Sequence, residues 1–143
     1  MGLDSMTSKL SVEDANAFLK SAFDRDVDAG VIIMEDGRAV VRLEAGKEHL
    51  RPGGFISGPT QMALADRAAY MVVMTKLGVV PMTVTSNLNI NFLRPCIGDV
   101  VIADGRLMKI GRTLAVIEVD VRAEGSDKTA SHAVVTYALP KPE

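Results

Sequence analysis

The run from Pro59 to Leu77 most restricts what this chain can fold into. Residues 62 to 74 are apolar at nearly every position, Asp66 and Arg67 being the charged ones. A helix of that kind has no broad polar face to offer solvent, so other elements must enclose it. Pro59 suits the first helical position, where its missing N–H costs nothing. Gly78 is a natural stop. The chain has 143 residues, of which 48% are apolar, enough for one domain and one sizeable core.

The rest of the sequence supplies the enclosure. Ser11-Val-Glu-Asp14 reads as a capped helix start, and Val12, Ala15, Phe18, Leu19, Ala22 and Phe23 follow at helical spacing. Val31 to Met34 and Arg38 to Leu43 read as two strands joined through Asp36-Gly37, a hairpin signal. After the long helix come Thr83 to Arg94, Val100 to Lys109, Thr113 to Ala123 and Thr129 to Leu139, separated by turn residues. Alternation in the first of these puts Val84, Leu88, Ile90 and Phe92 on one face. Thr85, Asn87, Asn89 and Asn91 fall on the other. The expected fold class is α+β, an antiparallel meander wrapped around one apolar helix. Residues 1–10 read as a flexible N-terminus and residues 11–143 as a single domain.

The loop that opens the long helix is rich in glycine: Arg51-Pro-Gly-Gly-Phe-Ile-Ser-Gly58. Glycines before a helix let backbone N–H groups approach a ligand or a developing negative charge. Asp66 follows eight residues after Gly58, and an acid on an apolar helix is a candidate base or nucleophile. Together these features point to a catalytic site. Read blandly, the glycines make a tight turn, Asp66 pairs with a base, and Ser57 is a plain N-cap.

Charge and composition exclude other classes. Sixteen Lys and Arg against eighteen Asp and Glu leave a net charge of −2, no basis for nucleic-acid binding or a polybasic membrane anchor. Four Phe, two Tyr and no Trp are too few for a base-stacking surface. Cys96 is the single cysteine, so no internal disulfide forms and a reducing compartment is expected; buried filler is its plain reading. His49 and His132 stand apart, with no partner at metal-ligand spacing, and no metal or cofactor is expected. No apolar run reaches transmembrane length and the N-terminus lacks a signal core. The expectation is a soluble, cytoplasmic protein with no membrane partner.

The layout, with this loop and helix in this place, resembles the hotdog fold, and within it the acyl-CoA thioesterases of the PaaI-like, phenylacetate-degradation type. The matching pieces are Ser57-Gly58-Pro59, Leu64-Ala65-Asp66, and Asn91-Phe-Leu-Arg-Pro95 followed by Gly98-Asp99. The resemblance covers about residues 28 to 139. It implies that Asp66 is the catalytic carboxylate, as base or nucleophile, and that the Gly58 N–H polarises the thioester carbonyl. It further implies that Thr85 helps position water. Thioester hydrolysis needs such parts, because its oxyanion is stabilised by an N–H at a positive helix end while a carboxylate activates water or attacks. The resemblance also implies a homodimer or dimer of dimers with active sites between subunits.

The chain departs from that pattern at three positions. Ser57 replaces the family's His, and is a candidate either to cap the helix or to hold the thioester as that His does; Pro59 replaces its second Gly, and Arg51 a polar residue fifteen positions before the carboxylate. Arg51 is a candidate for an acyl carboxylate or phosphate, with Gly54 beside it. Arg94, Lys109 and Arg112, at strand ends and turns, are candidates for coenzyme A phosphates. Asn89, within the row of neutral amides, is a candidate for a seam or substrate channel. Phe55, Ile56, Met62 and Tyr70 are the expected apolar lining. Two other readings are a non-catalytic acyl-CoA-binding protein, motivated by the departures, and a hotdog hydratase or dehydratase, which would want a catalytic His near the helix.

Overall fold

A computed structural model of the protein describes residues 7–23 and 29–141. Helix α1 spans Val12–Ala22, with Ser11 as its cap, accepting the Asp14 N–H at 3.1 Å. Strands β1 (Ala29–Glu35) and β2 (Arg38–Glu44) form the expected hairpin, and Gly37 takes the left-handed conformation its turn requires. Asn16 of α1 bonds both backbone groups of Val31 at 2.9 Å, which ties helix to hairpin. A short 3-10 turn at Lys47–His49 lies between β2 and the glycine-rich loop. Helix α2 spans Gly58–Leu77, and Gly78 ends it with φ of 74°.

Four strands follow: β3 (Val84–Phe92), β4 (Val100–Ile110), β5 (Leu114–Ala123) and β6 (Ser131–Ala138). All six join in one sheet of order β1-β2-β4-β5-β6-β3, every neighbour antiparallel. The sheet curls around α2, whose core-facing residues Ala65, Ala68, Ala69, Val72 and Val73 are fully buried against β2, β4, β5 and β6. Gly105 makes the closest approach possible. A Cβ there would stand 3.0 Å from the Val72 side chain and 3.4 Å from the Ala68 carbonyl oxygen. The two halves of α2 differ. Met71 to Thr75 are buried all round, whereas Pro59, Met62 and Ala63 are exposed or half-buried, a stripe that leads to half-buried Asp66.

Residues 1–6 of the expected N-terminal segment lie outside the described region, and Lys9 and Leu10 contact the domain. The Lys9 N–H donates to the Thr75 carbonyl at 2.8 Å, and Leu10 packs on the core. One correction concerns β3, where the register against β6 shifts between Thr85 and Asn87. The extra residue is a bulge, which reverses the faces on its two sides. Thr85 pairs with inward-facing Tyr137, so it joins Leu88 and Ile90 on the helix side, while Val84 turns outward with Asn87, Asn89 and Asn91. β3 is the sheet's edge, and most of its residues are exposed.

Candidate active site

The glycine corner is pinned from three directions. The Ser57 N–H donates to the His49 carbonyl at 2.8 Å, Ile56 N–H to the Cys96 carbonyl at 2.9 Å, and Arg51 N–H to the Phe55 carbonyl at 2.9 Å. Gly53 and Gly54 turn the chain with φ of 101° and 82°. A helix start leaves four N–H groups without helical partners, and here three are accounted for. The Ser57 N–H goes to the His49 carbonyl, the Thr60 N–H to Ser57 Oγ at 3.3 Å, and Pro59 has none. The Gly58 N–H meets no acceptor among the described residues. It is thus the open donor at the positive end of α2. A Cβ at position 58 would lie 3.3 Å from the Phe92 ring, so glycine also keeps the approach clear.

Beside this donor lies a cavity of about 480 Å³, lined in part by Arg51, Phe55, Gln61, Phe92 and Arg94. The Arg51 Nε donates to the Pro52 carbonyl at 3.2 Å and the Arg94 guanidinium to the Thr129 carbonyl. Neither arginine forms an ion pair among the described residues. Exposed Gly54 stands on the turn beside them.

Asp66 stands further along α2 and is held differently. Thr85 Oγ1 donates to Asp66 Oδ1 at 2.8 Å, and the Tyr137 hydroxyl donates to the same oxygen at 2.5 Å. The Tyr137 ring stacks on Tyr70 with centroids 5.7 Å apart and planes 3° from parallel. Burial, and then the bond to Asp66, pushes the Tyr137 phenol far above its ordinary range, so it keeps its proton. A cavity of about 220 Å³ adjoins this group, lined by Leu19, Phe23, Asp66, Arg67, Tyr70 and Tyr137. Tyr137 was absent from the sequence candidates. Its position two residues before Leu139 carries no local signal, and only its pairing opposite Thr85 reveals it.

The thioesterase superfamily model matches residues 53–130, a span that holds Gly58, Asp66 and Thr85. The chain belongs to the thioesterase superfamily. A protein provisionally named an esterase, from Saccharolobus solfataricus, is 31% identical over 113 residues, 79% of each chain. The solved structure of a provisionally named thioesterase from Silicibacter sp. TM1040 is 32% identical with a TM-score of 0.86, over 95% of this chain and 96% of that one. A mutant of the phenylacetic acid degradation protein PaaI from Thermus thermophilus is 25% identical with a TM-score of 0.69, over 85% and 98%. The fold is the hotdog fold, the member is PaaI-like, and the chain is a thioester hydrolase.

In this thioesterase the remaining sequence candidates are spread out. Ser57 is the cap of α2, and its hydroxyl also bonds Thr60 Oγ1 at 2.8 Å. Asn89 is on the outer face of β3, away from α2. Lys109 and Arg112 are exposed at the β4–β5 turn, at the opposite end of the sheet from Gly58. Phe55 and Ile56 line the cavity at Gly58 and Tyr70 the one at Asp66, whereas Met62 is exposed. His49 is buried and its Nδ1 accepts the Gly46 N–H at 2.8 Å. His132 is on the outer face beside Glu118. Cys96 is buried, which pushes its thiol pKa up. Among the described residues no group of three or more His, Cys, Asp or Glu is placed to hold a metal, and no helix is long and apolar enough to cross a membrane.

Proposed function

We propose that this hydrolase cleaves acyl-coenzyme A thioesters at sites built between two copies of the chain. Gly58 of one copy polarises the thioester carbonyl, and Asp66 of the other serves as base or nucleophile. The observation that carries the reading is the spacing of these two groups along one helix. Eight residues at 1.5 Å each put them about 12 Å apart along the axis. A carbonyl within hydrogen-bonding reach of the Gly58 N–H is therefore out of reach of the same chain's Asp66. Two α2 helices lying antiparallel across a two-fold axis bring each Gly58 toward the other Asp66.

Two further features favour such a pair. The stripe of Pro59, Met62 and Ala63 runs along α2 between the two groups. The β3 edge, left open in a single chain, pairs with its own copy without a new surface. In the completed site the open Gly58 N–H stabilises the oxyanion as water or the carboxylate attacks. Arg51 and Arg94, at the mouth of the adjoining cavity, suit the phosphates of coenzyme A or an acidic acyl group. A homodimer is the smallest assembly with complete sites, and a dimer of dimers repeats it. With one cysteine and the expected absence of membrane partners, the cytoplasm is the proposed location.

The test is release of free thiol from a panel of short, medium, long and aryl acyl-CoAs. Wild-type protein should turn over at least one class, and Asp66→Asn should lower kcat by about 10²- to 10⁴-fold. Wild-type turnover by folded Asp66→Asn protein would remove the carboxylate from the mechanism.

A further inference from the structure

We propose that Tyr137 is a positioning residue that, with Thr85, locks Asp66 so that Oδ2 alone is presented to the reacting atoms. The inference rests on the reading of Asp66 as the acting carboxylate and adds which of its oxygens acts and what aims it.

The two donors converge on one atom. Thr85 Oγ1 at 2.8 Å and the Tyr137 hydroxyl at 2.5 Å both bond Oδ1. A carboxylate oxygen has about two lone-pair sites, so these donors fill it. Oδ2 takes no hydrogen bond from any described residue. The terminal torsion of an aspartate is broad and nearly two-fold, so an unrestrained carboxylate exchanges its oxygens. Donors from two neighbouring strands remove that freedom. Thr85 and Tyr137 are directly opposed in the β3–β6 register, and the bulge after Thr85 makes the pair face the helix.

Tyr137 is itself braced. It is 4% exposed, and its ring stacks on Tyr70, one helical turn after Asp66 on the same α2 face. Phe18 of α1 meets Tyr70 edge-on with centroids 6.1 Å apart. The phenol thus has little room to move. It also keeps its proton at working pH, so it serves as a constant donor and never as the base. The one proton it donates goes to Oδ1, the shorter of its contacts; the Asp66 backbone carbonyl is 3.0 Å away.

Tyr137→Phe keeps the ring and its stack and removes the donor. On the best acyl-CoA of the panel, its kcat should fall about ten- to a hundred-fold, the cost of a loosened catalytic group, with KM within about two-fold of wild type. Thr85→Val should act in the same direction. The double variant should cost less than the product of the two, because both donors serve one oxygen. Tyr137→Leu, which also removes the stack, separates packing from donation. If packing alone matters, the Phe variant behaves as wild type and only the Leu variant is impaired, and the proposal is overturned. If Tyr137→Phe does not fold, Thr85→Val at its exposed strand position decides. Reduced kcat at unchanged KM supports the proposal and wild-type kcat overturns it. Asp66→Asn, run alongside, keeps the two readings apart. An active Asp66→Asn enzyme defeats the carboxylate mechanism itself, whereas an inactive one beside a fully active Tyr137→Phe defeats only the role of Tyr137.

Discussion

Gly58 and Asp66 lie on the same helix and are built by opposite means. At Gly58 the proposed functional atom is a backbone N–H left empty by removing competitors: Ser57 takes the Thr60 N–H, and Pro59 has no N–H to offer. At Asp66 the proposed functional atom is a side-chain oxygen made single by adding partners, with Thr85 and Tyr137 filling its twin. A backbone donor at a helix end is already aimed by the helix, so it needs only to be kept open. A carboxylate on rotatable bonds has no direction until neighbours impose one. On the proposed reading each group is therefore ready before substrate arrives, and neither reaches the other within one chain.

The separation can be broken by dilution, which has the largest expected effect. If one site draws on two copies, turnover per chain should vanish as light scattering reports the change from pairs to single chains. Constant turnover through that change would place both groups in one chain's reach and contradict the separation of about 12 Å, eight residues at 1.5 Å each. A smaller effect sharpens the Gly58 end. Ser57→Ala removes the cap, and loss of a serine N-cap costs about 1 kcal/mol. Denaturant titration should show a stability loss of that size, and the freed Thr60 N–H gives the corner a second donor. The smallest effect, invisible at neutral pH, belongs to the Asp66 end. Burial and Asp66 raise the Tyr137 phenol above its usual value near 10. Below about pH 10 both folded and unfolded chains keep that proton, and the contribution to stability is complete. As pH rises further the unfolded chain releases its proton first, so stability falls. Melting temperatures above about pH 10 should decline less steeply in Tyr137→Phe than in wild type.

The two ends also differ in how far the sequence reveals them. The Gly58 end is local. Glycines, a serine cap, a first-turn proline and an apolar helix follow one another in the chain, and each has its own propensity. The hairpin at Asp36-Gly37 and the stop at Gly78 are legible for the same reason. The Asp66 end depends on contacts between distant segments. Tyr137 lies 71 residues from Asp66. Alternation within β3 puts Thr85 among the asparagines, because a bulge belongs to the pairing of two strands and leaves no trace in one of them. Anchoring of Lys9 on Thr75 is likewise a long-range contact that composition does not announce. The resemblance to PaaI-like proteins names Asp66 and Thr85 without saying why Thr85 can reach it. Registration of β3 against β6 supplies that reason.

Gly105 has a consequence for which substrates the enzyme can accommodate. By letting the Ala68–Val72 stretch of α2 rest directly on the backbone of β4, it leaves no slack beneath that part of the helix. On the proposed reading, an acyl group that needs extra room does not obtain it by lifting the middle of α2 from the sheet. Give must come from the side chains and loop at the other end, where Phe92, Arg51 and the two left-handed glycines face solvent. On that reading the control of acyl breadth therefore lies at the entrance, while the packing beneath α2 stays constant from one substrate to the next.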